Sequence, residues 1–115
     1  MAKILIADDS QFMRINLKDI LKGEGYEIIE SADGKEALEK FKTEKPDLML
    51  LDIIMPEVDG MEVLKKIGKK AKIIVISAVG QEKMVNEAKN LGAIDYIVKP
   101  FENEKVIEIV KKVLG

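Results

Sequence analysis

Short apolar runs alternate with amphipathic segments along the whole chain. Lys3-Ile4-Leu5-Ile6-Ala7 is an apolar run that stops at two aspartates, as a strand leaving a core would. From Gln11 to Lys22, Phe12, Met13, Ile15, Leu17, Ile20 and Leu21 recur at helical spacing, and Gly23-Glu24-Gly25 supplies the stop, with the C-cap glycine expected there. Tyr26 to Glu30 predicts a second strand. Asp33-Gly34 opens a helix with Ala37, Leu38 and Phe41 on one face, closed before Lys45-Pro46. Asp47 to Ile53 is almost continuously apolar, which marks a strand buried on both faces. A third helix follows Asp59-Gly60 with Met61, Leu64 and Ile67 inward. Lys72 to Ala78 is another buried strand. Gln81 to Leu91 is a helix with Met84, Val85, Ala88 and Leu91 inward and Gly92 as its cap. Ile94 to Val98 is the fifth strand, and Val106, Ile107, Val110, Val113 and Leu114 stripe the last helix. No repeat, low-complexity tract or linker interrupts this order, so residues 1–115 are expected to form one domain. Strands alternating with helices in this rhythm predict an α/β fold, a parallel sheet with helices on both faces.

Composition narrows the chemistry. Among 115 residues there is no cysteine and no histidine. That excludes disulfide frameworks, thiolate metal sites, Ser-His-Asp triads and nearly every zinc or haem site. With 19 basic and 21 acidic residues the net charge is −2, which offers no electrostatic reason to expect nucleic acid. No apolar run reaches the roughly 18 residues needed to span a bilayer, and Met1-Ala2-Lys3-Ile4 lacks a signal-peptide layout, so a cytoplasmic protein is expected. Carboxylate, hydroxyl and lysine chemistry remains.

In doubly wound sheets, ligands bind beyond the carboxyl ends of the strands. The first predicted strand ends in Asp8-Asp9-Ser10, the third in Asp52, the fourth in Ser77-Ala78 and the fifth in Lys99-Pro100. Any one of these is explicable as a turn or cap residue. Asp52 is the hardest to explain that way, because an unpaired charge at the mouth of a core strand costs several kcal/mol in rough terms. All four together define a task. Three close carboxylates need a cation among them, and oxygen-only ligands suit magnesium. A lysine and a serine hydroxyl beside them suit a phosphoryl group, with one carboxylate as its acceptor.

Asp8-Asp9-Ser10, Leu50-Leu51-Asp52-Ile53-Ile54-Met55-Pro56 with Asp59-Gly60, Ser77-Ala78, and Lys99-Pro100-Phe101, in this order and spacing, resemble the receiver domain of two-component response regulators. The resemblance covers the whole chain. It implies a flavodoxin-like, doubly wound five-stranded sheet in the order 2-1-3-4-5 with five helices. It implies Asp52 as phosphoacceptor, and Mg2+ held directly by Asp9, mainly through water by Asp8, and by Asp52 and the backbone carbonyl of Ile54. Ser77 would hold a phosphoryl oxygen and Lys99 would pair with it. Tyr96 takes the place of the switch aromatic that turns inward when the serine moves, and the Lys99–Pro100 bond would be cis. Asp9-Ser10-Gln11-Phe12-Met13-Arg14 and Ser77-Ala78-Val79-Gly80-Gln81 look most like chemotaxis regulators. Because the chain stops with its fifth helix, a stand-alone, monomeric regulator without nucleic-acid or membrane partners is expected. Its implied partners are a CheA-like sensor histidine kinase and a downstream target such as a flagellar or archaellar motor component or adaptor, which reads a surface spanning roughly Met84 to Val113.

Three other readings share parts of this pattern, beside a phosphorelay receiver acting outside chemotaxis. A magnesium phosphohydrolase of the haloacid dehalogenase type needs a second acid two residues after its nucleophile, where this chain has Ile54 after Asp52 or Ser10 after Asp8. A flavodoxin-like electron carrier needs a Ser/Thr/Gly-rich phosphate loop after the first strand and stacking aromatics; Trp is absent and aromatics total 4%. A phosphorylation-independent interaction module has no use for this full set of acidic, hydroxyl and lysine positions. Ile54 and Val79, two residues after Asp52 and Ser77, are aliphatic and cannot orient an attacking water. A slowly hydrolysing aspartyl phosphate is therefore expected.

Overall fold

A computed structural model describes all residues, 1–115. Five strands, β1 (Lys3–Ala7), β2 (Glu27–Ser31), β3 (Leu48–Leu51), β4 (Ile73–Ser77) and β5 (Asp95–Val98), form one parallel sheet in the order β2-β1-β3-β4-β5. Helices α1 (Gln11–Lys22), α2 (Gly34–Glu44), α3 (Gly60–Ile67), α4 (Glu82–Asn90) and α5 (Asn103–Leu114) alternate with them. The architecture expected from the alternation, and the strand order expected from the resemblance, are both present.

Strand residues of alternate parity feed two separate cores, as a period of two requires. Leu5, Ala7, Met49, Leu51, Ile73, Val75 and Tyr96 pack under Ala37 of α2, Val63, Leu64 and Ile67 of α3, and Ala88 of α4. Ile4, Ile6, Leu48, Leu50, Ile74, Ile76 and Ile97 pack under Leu17 and Leu21 of α1 and Val106, Ile109 and Val110 of α5. All nine residues of β3 and β4 are buried, which explains their unbroken apolar runs. The helices are not equally anchored. α3 buries Gly60, Val63, Leu64 and Ile67, whereas α4 fully buries only Ala88 and starts at Gln81 without a side-chain cap. A helix so sparsely tied belongs to the low-stability end of the molecule.

Three local expectations are corrected, while the C-cap glycine expected after α1 is found at Gly23. Phe12 is 79% exposed and Ile15 is exposed, so the inward stripe of α1 is Leu17 and Leu21, flanked by Met13 and Ile20. At about 100° per residue, Phe12 and Ile15 fall on the face of α1 away from Leu17 and Leu21, while Met13 in the same turn packs on the core. The C-cap Gly23 is right-handed, and the left-handed glycine of that turn is Gly25 at φ 91°. On α5, Ile109 is buried and Ile107 is only partly so. Ile94 lies outside β5 and is exposed. β3 and β4 are shorter than their apolar runs by one or two residues at the ends, β2 is shifted by one residue, and β1 has the expected bounds.

Two glycines permit close backbone approaches, one of them at the site. A Cβ on Gly60 would lie 2.2 Å from the Asp52 carbonyl oxygen, so only glycine lets α3 start directly beneath the end of β3. Gly92, at φ 120°, packs against Gly68, and a Cβ there would lie 2.2 Å from the Gly68 carbonyl oxygen. No helix is long and apolar enough to cross a membrane.

Candidate functional site

The register of the sheet brings the predicted residues together. Ala7 pairs with Leu51, so the next residues, Asp8 and Asp52, leave neighbouring strands side by side. The Asp52 amide still donates to the Ala7 carbonyl at 2.9 Å, holding the two ends in step. Lys99 follows β5, beyond β4, and its amide donates to the Ser77 carbonyl at 2.9 Å. From there its side chain crosses the end of β4. Its Nζ donates to Asp8 Oδ2 at 2.8 Å and to Asp52 Oδ2 at 3.0 Å. The Lys99–Pro100 peptide is cis, as the resemblance implied.

Asp8, Asp9 and Asp52 offer carboxylate oxygens that lie within 4.8 Å of one another. Asp8 and Asp52 are buried, and local donors hold their remaining oxygens. Asp8 Oδ1 accepts from the Ser10 amide at 2.9 Å, and Asp52 Oδ1 from the Ile53 amide at 2.7 Å and the Ile54 amide at 3.4 Å. Asp9 is exposed, and its carboxylate makes no hydrogen bond or ion pair within the chain. Ser10, beside it, caps α1 by accepting from the Met13 amide at 3.2 Å.

The electrostatics are unbalanced. Burial pushes the Asp8 carboxyl above its usual value, and the hydrogen bonds from Lys99 and Ser10 only partly offset this. Burial would lower Lys99, but its bonds to Asp8 and Asp52 outweigh it and hold the ammonium above its usual value. Three carboxylates against one ammonium leave two negative charges uncompensated. An unpartnered carboxylate, oxygen-only donors and a deficit of two charges fit a hard divalent cation such as Mg2+.

Ser77 and Tyr96 are also brought together. Ser77 is fully buried and its Oγ accepts from the Val79 amide at 3.2 Å. The Tyr96 hydroxyl donates to the Val79 carbonyl, so both side chains engage the same peptide segment of the β4–α4 loop. The tyrosine ring is 8% exposed and packs in the core, so it already stands inward. Burial raises the Tyr96 hydroxyl above its usual pKa, and the Ser77 hydroxyl beside it lowers it in part. Ile54 is 64% exposed at the rim and Val79 is half-buried.

Arg14 and Glu30 were not singled out as site residues, yet they border the site. Arg14 Nη1 donates to the Asp8 backbone carbonyl at 2.6 Å, and its Nε donates to Glu30 Oε1 at 3.1 Å. The available signal was a sole arginine one helical turn after the aspartates and an acid near the end of a strand. Neither position states its partner, because the contact joins α1 to β2.

The family model "response regulator receiver domain" matches residues 4–111. The chemotaxis protein CheY of Thermotoga maritima is 50% identical over 115 residues, covering 96% of each chain. CheY of Bacillus subtilis is 47% identical over 117 residues, covering 98% of each. Among solved structures, the complex of CheX, CheY, BeF3 and Mg2+ from Borrelia burgdorferi superposes with a TM-score of 0.94 at 40% identity, covering 99% of this chain and 90% of that one.

Proposed function

The chain belongs to the response regulator receiver domain family, and from that membership we propose that it is a chemotaxis response regulator, phosphorylated on Asp52 by a sensor histidine kinase in the cytoplasm. One observation carries the reading. Lys99 Nζ lies 2.8 Å and 3.0 Å from the buried carboxylates of Asp8 and Asp52, beside the unpartnered carboxylate of Asp9, at the carboxyl edge of the sheet. The similarity to the CheY proteins of Thermotoga maritima and Bacillus subtilis supports the chemotaxis assignment.

In the proposed reaction an ionised oxygen of Asp52 attacks phosphorus and forms the new P–O bond. The bond from phosphorus to the donor breaks, and its electron pair leaves with the imidazole nitrogen of the kinase or with the acetate of a small donor. No proton has to leave the nucleophile. Lys99 exchanges its hydrogen bond with Asp52 Oδ2 for one with a phosphoryl oxygen, where its charge counts most. The Ser77 hydroxyl, which accepts from the Val79 amide, can turn its proton to a second phosphoryl oxygen. Asp8, Asp9, Asp52 and the Ile54 backbone carbonyl would hold Mg2+, which supplies charge neutralisation for the transferring oxygens. The complex of a similar protein with BeF3 and Mg2+ supports a role for magnesium. The protein catalyses only its own phosphorylation and dephosphorylation.

Output follows from the Ser77–Val79–Tyr96 connection. Moving the Ser77 hydroxyl toward a phosphoryl oxygen breaks its bond from the Val79 amide, while the Val79 carbonyl is tied to Tyr96. The β4–α4 loop and the weakly anchored α4 are thereby biased, and a partner reading α4, β5 and α5 senses the change. The test is incubation with acetyl phosphate and Mg2+ followed by intact mass. The parent should gain one phosphoryl group and Asp52→Asn none. A stoichiometric, Mg2+-dependent adduct in that variant would sink the assignment.

A further inference from the structure

Of the 19 basic residues, Arg14 is the only arginine. It sits in the first turns of α1 and joins two elements. Its Nε donates to Glu30 Oε1 at 3.1 Å and its Nη1 to the Asp8 carbonyl at 2.6 Å. That carbonyl is the first one beyond β1 that receives no sheet or helix donor. The Ala7 carbonyl receives the Asp52 amide, and the Asp8 amide goes to the Ser31 carbonyl, so Asp8 is the last residue the sheet holds. The peptide from Asp8 to Asp9 is therefore oriented from its carbonyl side by Arg14. The direction of that peptide decides where the Asp9 side chain leaves the backbone.

We propose that Arg14, itself oriented by Glu30, is a positioning residue that sets the Asp8–Asp9 peptide and so places the Asp9 carboxylate for Mg2+. The inference rests on the Mg2+ reading of the acidic cluster given above. Only a planar fork serves here, because two donors at fixed separation must meet a carboxylate and a carbonyl at once. A lysine ammonium is a point charge on a flexible stem and meets one of them at a time. Lys18 lies 3.5 Å from the other Glu30 oxygen and Lys40 donates to the Glu30 carbonyl, so Glu30 is held while it aims the guanidinium.

Charge and positioning predict opposite signs, which makes the inference testable. A cation near an Mg2+ site repels the ion, so if Arg14 acted only through its charge, Arg14→Gln would tighten binding. Positioning predicts that it weakens. Isothermal titration of the full chain with MgCl2 at neutral pH decides. Arg14→Gln and Arg14→Lys should each bind Mg2+ about 10-fold more weakly than the parent, the usual size of an outer-shell loss. Glu30→Gln should weaken binding by a smaller factor, and Lys18→Gln should stay within about twofold of the parent. In the metal-free Arg14 variants, hydrogen exchange at the Ser10 amide, which donates to Asp8 Oδ1, should quicken. Parent-like or tighter binding by Arg14→Gln would overturn the inference. If the Arg14 variants do not fold, Glu30→Gln carries the test through hydrogen exchange at the Ser10 amide, because loss of its charge would by itself weaken Mg2+ binding; parent-like exchange there overturns the inference equally. A parent protein that binds no Mg2+ refutes the metal reading before any variant is made, and the inference with it.

Discussion

Neutralising Asp9 should stabilise the protein without Mg2+ and destabilise it, relative to the parent, with Mg2+. Asp9 contributes one of three negative charges whose oxygens lie within 4.8 Å of one another. At that spacing a like-charge pair repels by about 3 kcal/mol at an effective dielectric of about 20. Exposure of Asp9 reduces this to about 1 kcal/mol for each of its two neighbours, Asp8 and Asp52. Opposing terms are the positive end of α1, about 0.5 kcal/mol, and a screened attraction to Lys99 of similar size. The Asp9 carboxylate makes no hydrogen bond and Ser10 provides the helix cap, so asparagine of the same shape loses nothing else. The net gain for Asp9→Asn is about 1 kcal/mol, a rise of about 4 °C in midpoint. Saturating Mg2+ at about 100 times its Kd should stabilise the parent by about 2.7 kcal/mol and the variant far less, which reverses their order. Urea unfolding followed by circular dichroism, with chelator and with Mg2+, reads both states. A variant less stable than the parent in chelator, or equal gains from Mg2+, would refute the reasoning.

Mg2+ binding should weaken as pH falls, beginning above the ordinary carboxylate range, because the raised pKa of Asp8 lets protons compete where a normal aspartate would be ionised; titration calorimetry across pH, with Asp8→Asn expected to flatten the dependence, checks it. Ser77→Ala should still be phosphorylated by acetyl phosphate, yet the phosphorylation-dependent change in partner affinity should shrink, since the bond to the Val79 amide no longer differs between states; surface plasmon resonance with the target protein measures this. Ile54→Asn with Val79→Glu should shorten the phosphorylated lifetime by up to about 100-fold by orienting an attacking water; loss of the mass adduct with time is the readout, and an unchanged lifetime favours simple packing.

The alternation of apolar runs with amphipathic segments was enough to reach a five-stranded α/β architecture, because a strand buried on both faces and a helix with one buried stripe leave different periods in the chain. The identity of the strand-end residues was legible for a related reason. Asp8, Asp52 and Lys99 stand where an apolar run breaks, and charge at such a break is conspicuous. Phe12 shows the limit of periodicity. Its spacing puts it on one stripe with Ile15, but α1 also carries the stripe of Met13, Leu17 and Leu21, and only the packing shows which of the two apolar stripes faces the sheet.

By itself the sequence determined the order of elements, the absence of any histidine or cysteine chemistry, and the set of oxygen and ammonium groups available at the strand ends. Only the tertiary structure decided that these groups meet. Residues 8, 52 and 99 are far apart along the chain, and their distances of 2.8 Å and 3.0 Å depend on β1 and β3 pairing in register and on β5 lying one strand further out. The inward position of Tyr96, its shared anchor with Ser77 at Val79, and the bridge from Glu30 through Arg14 to Asp8 likewise belong to the fold. Local periodicity reports which face of an element is buried. Contact between elements depends on strand order and register, and those are set by the packing of the whole sheet.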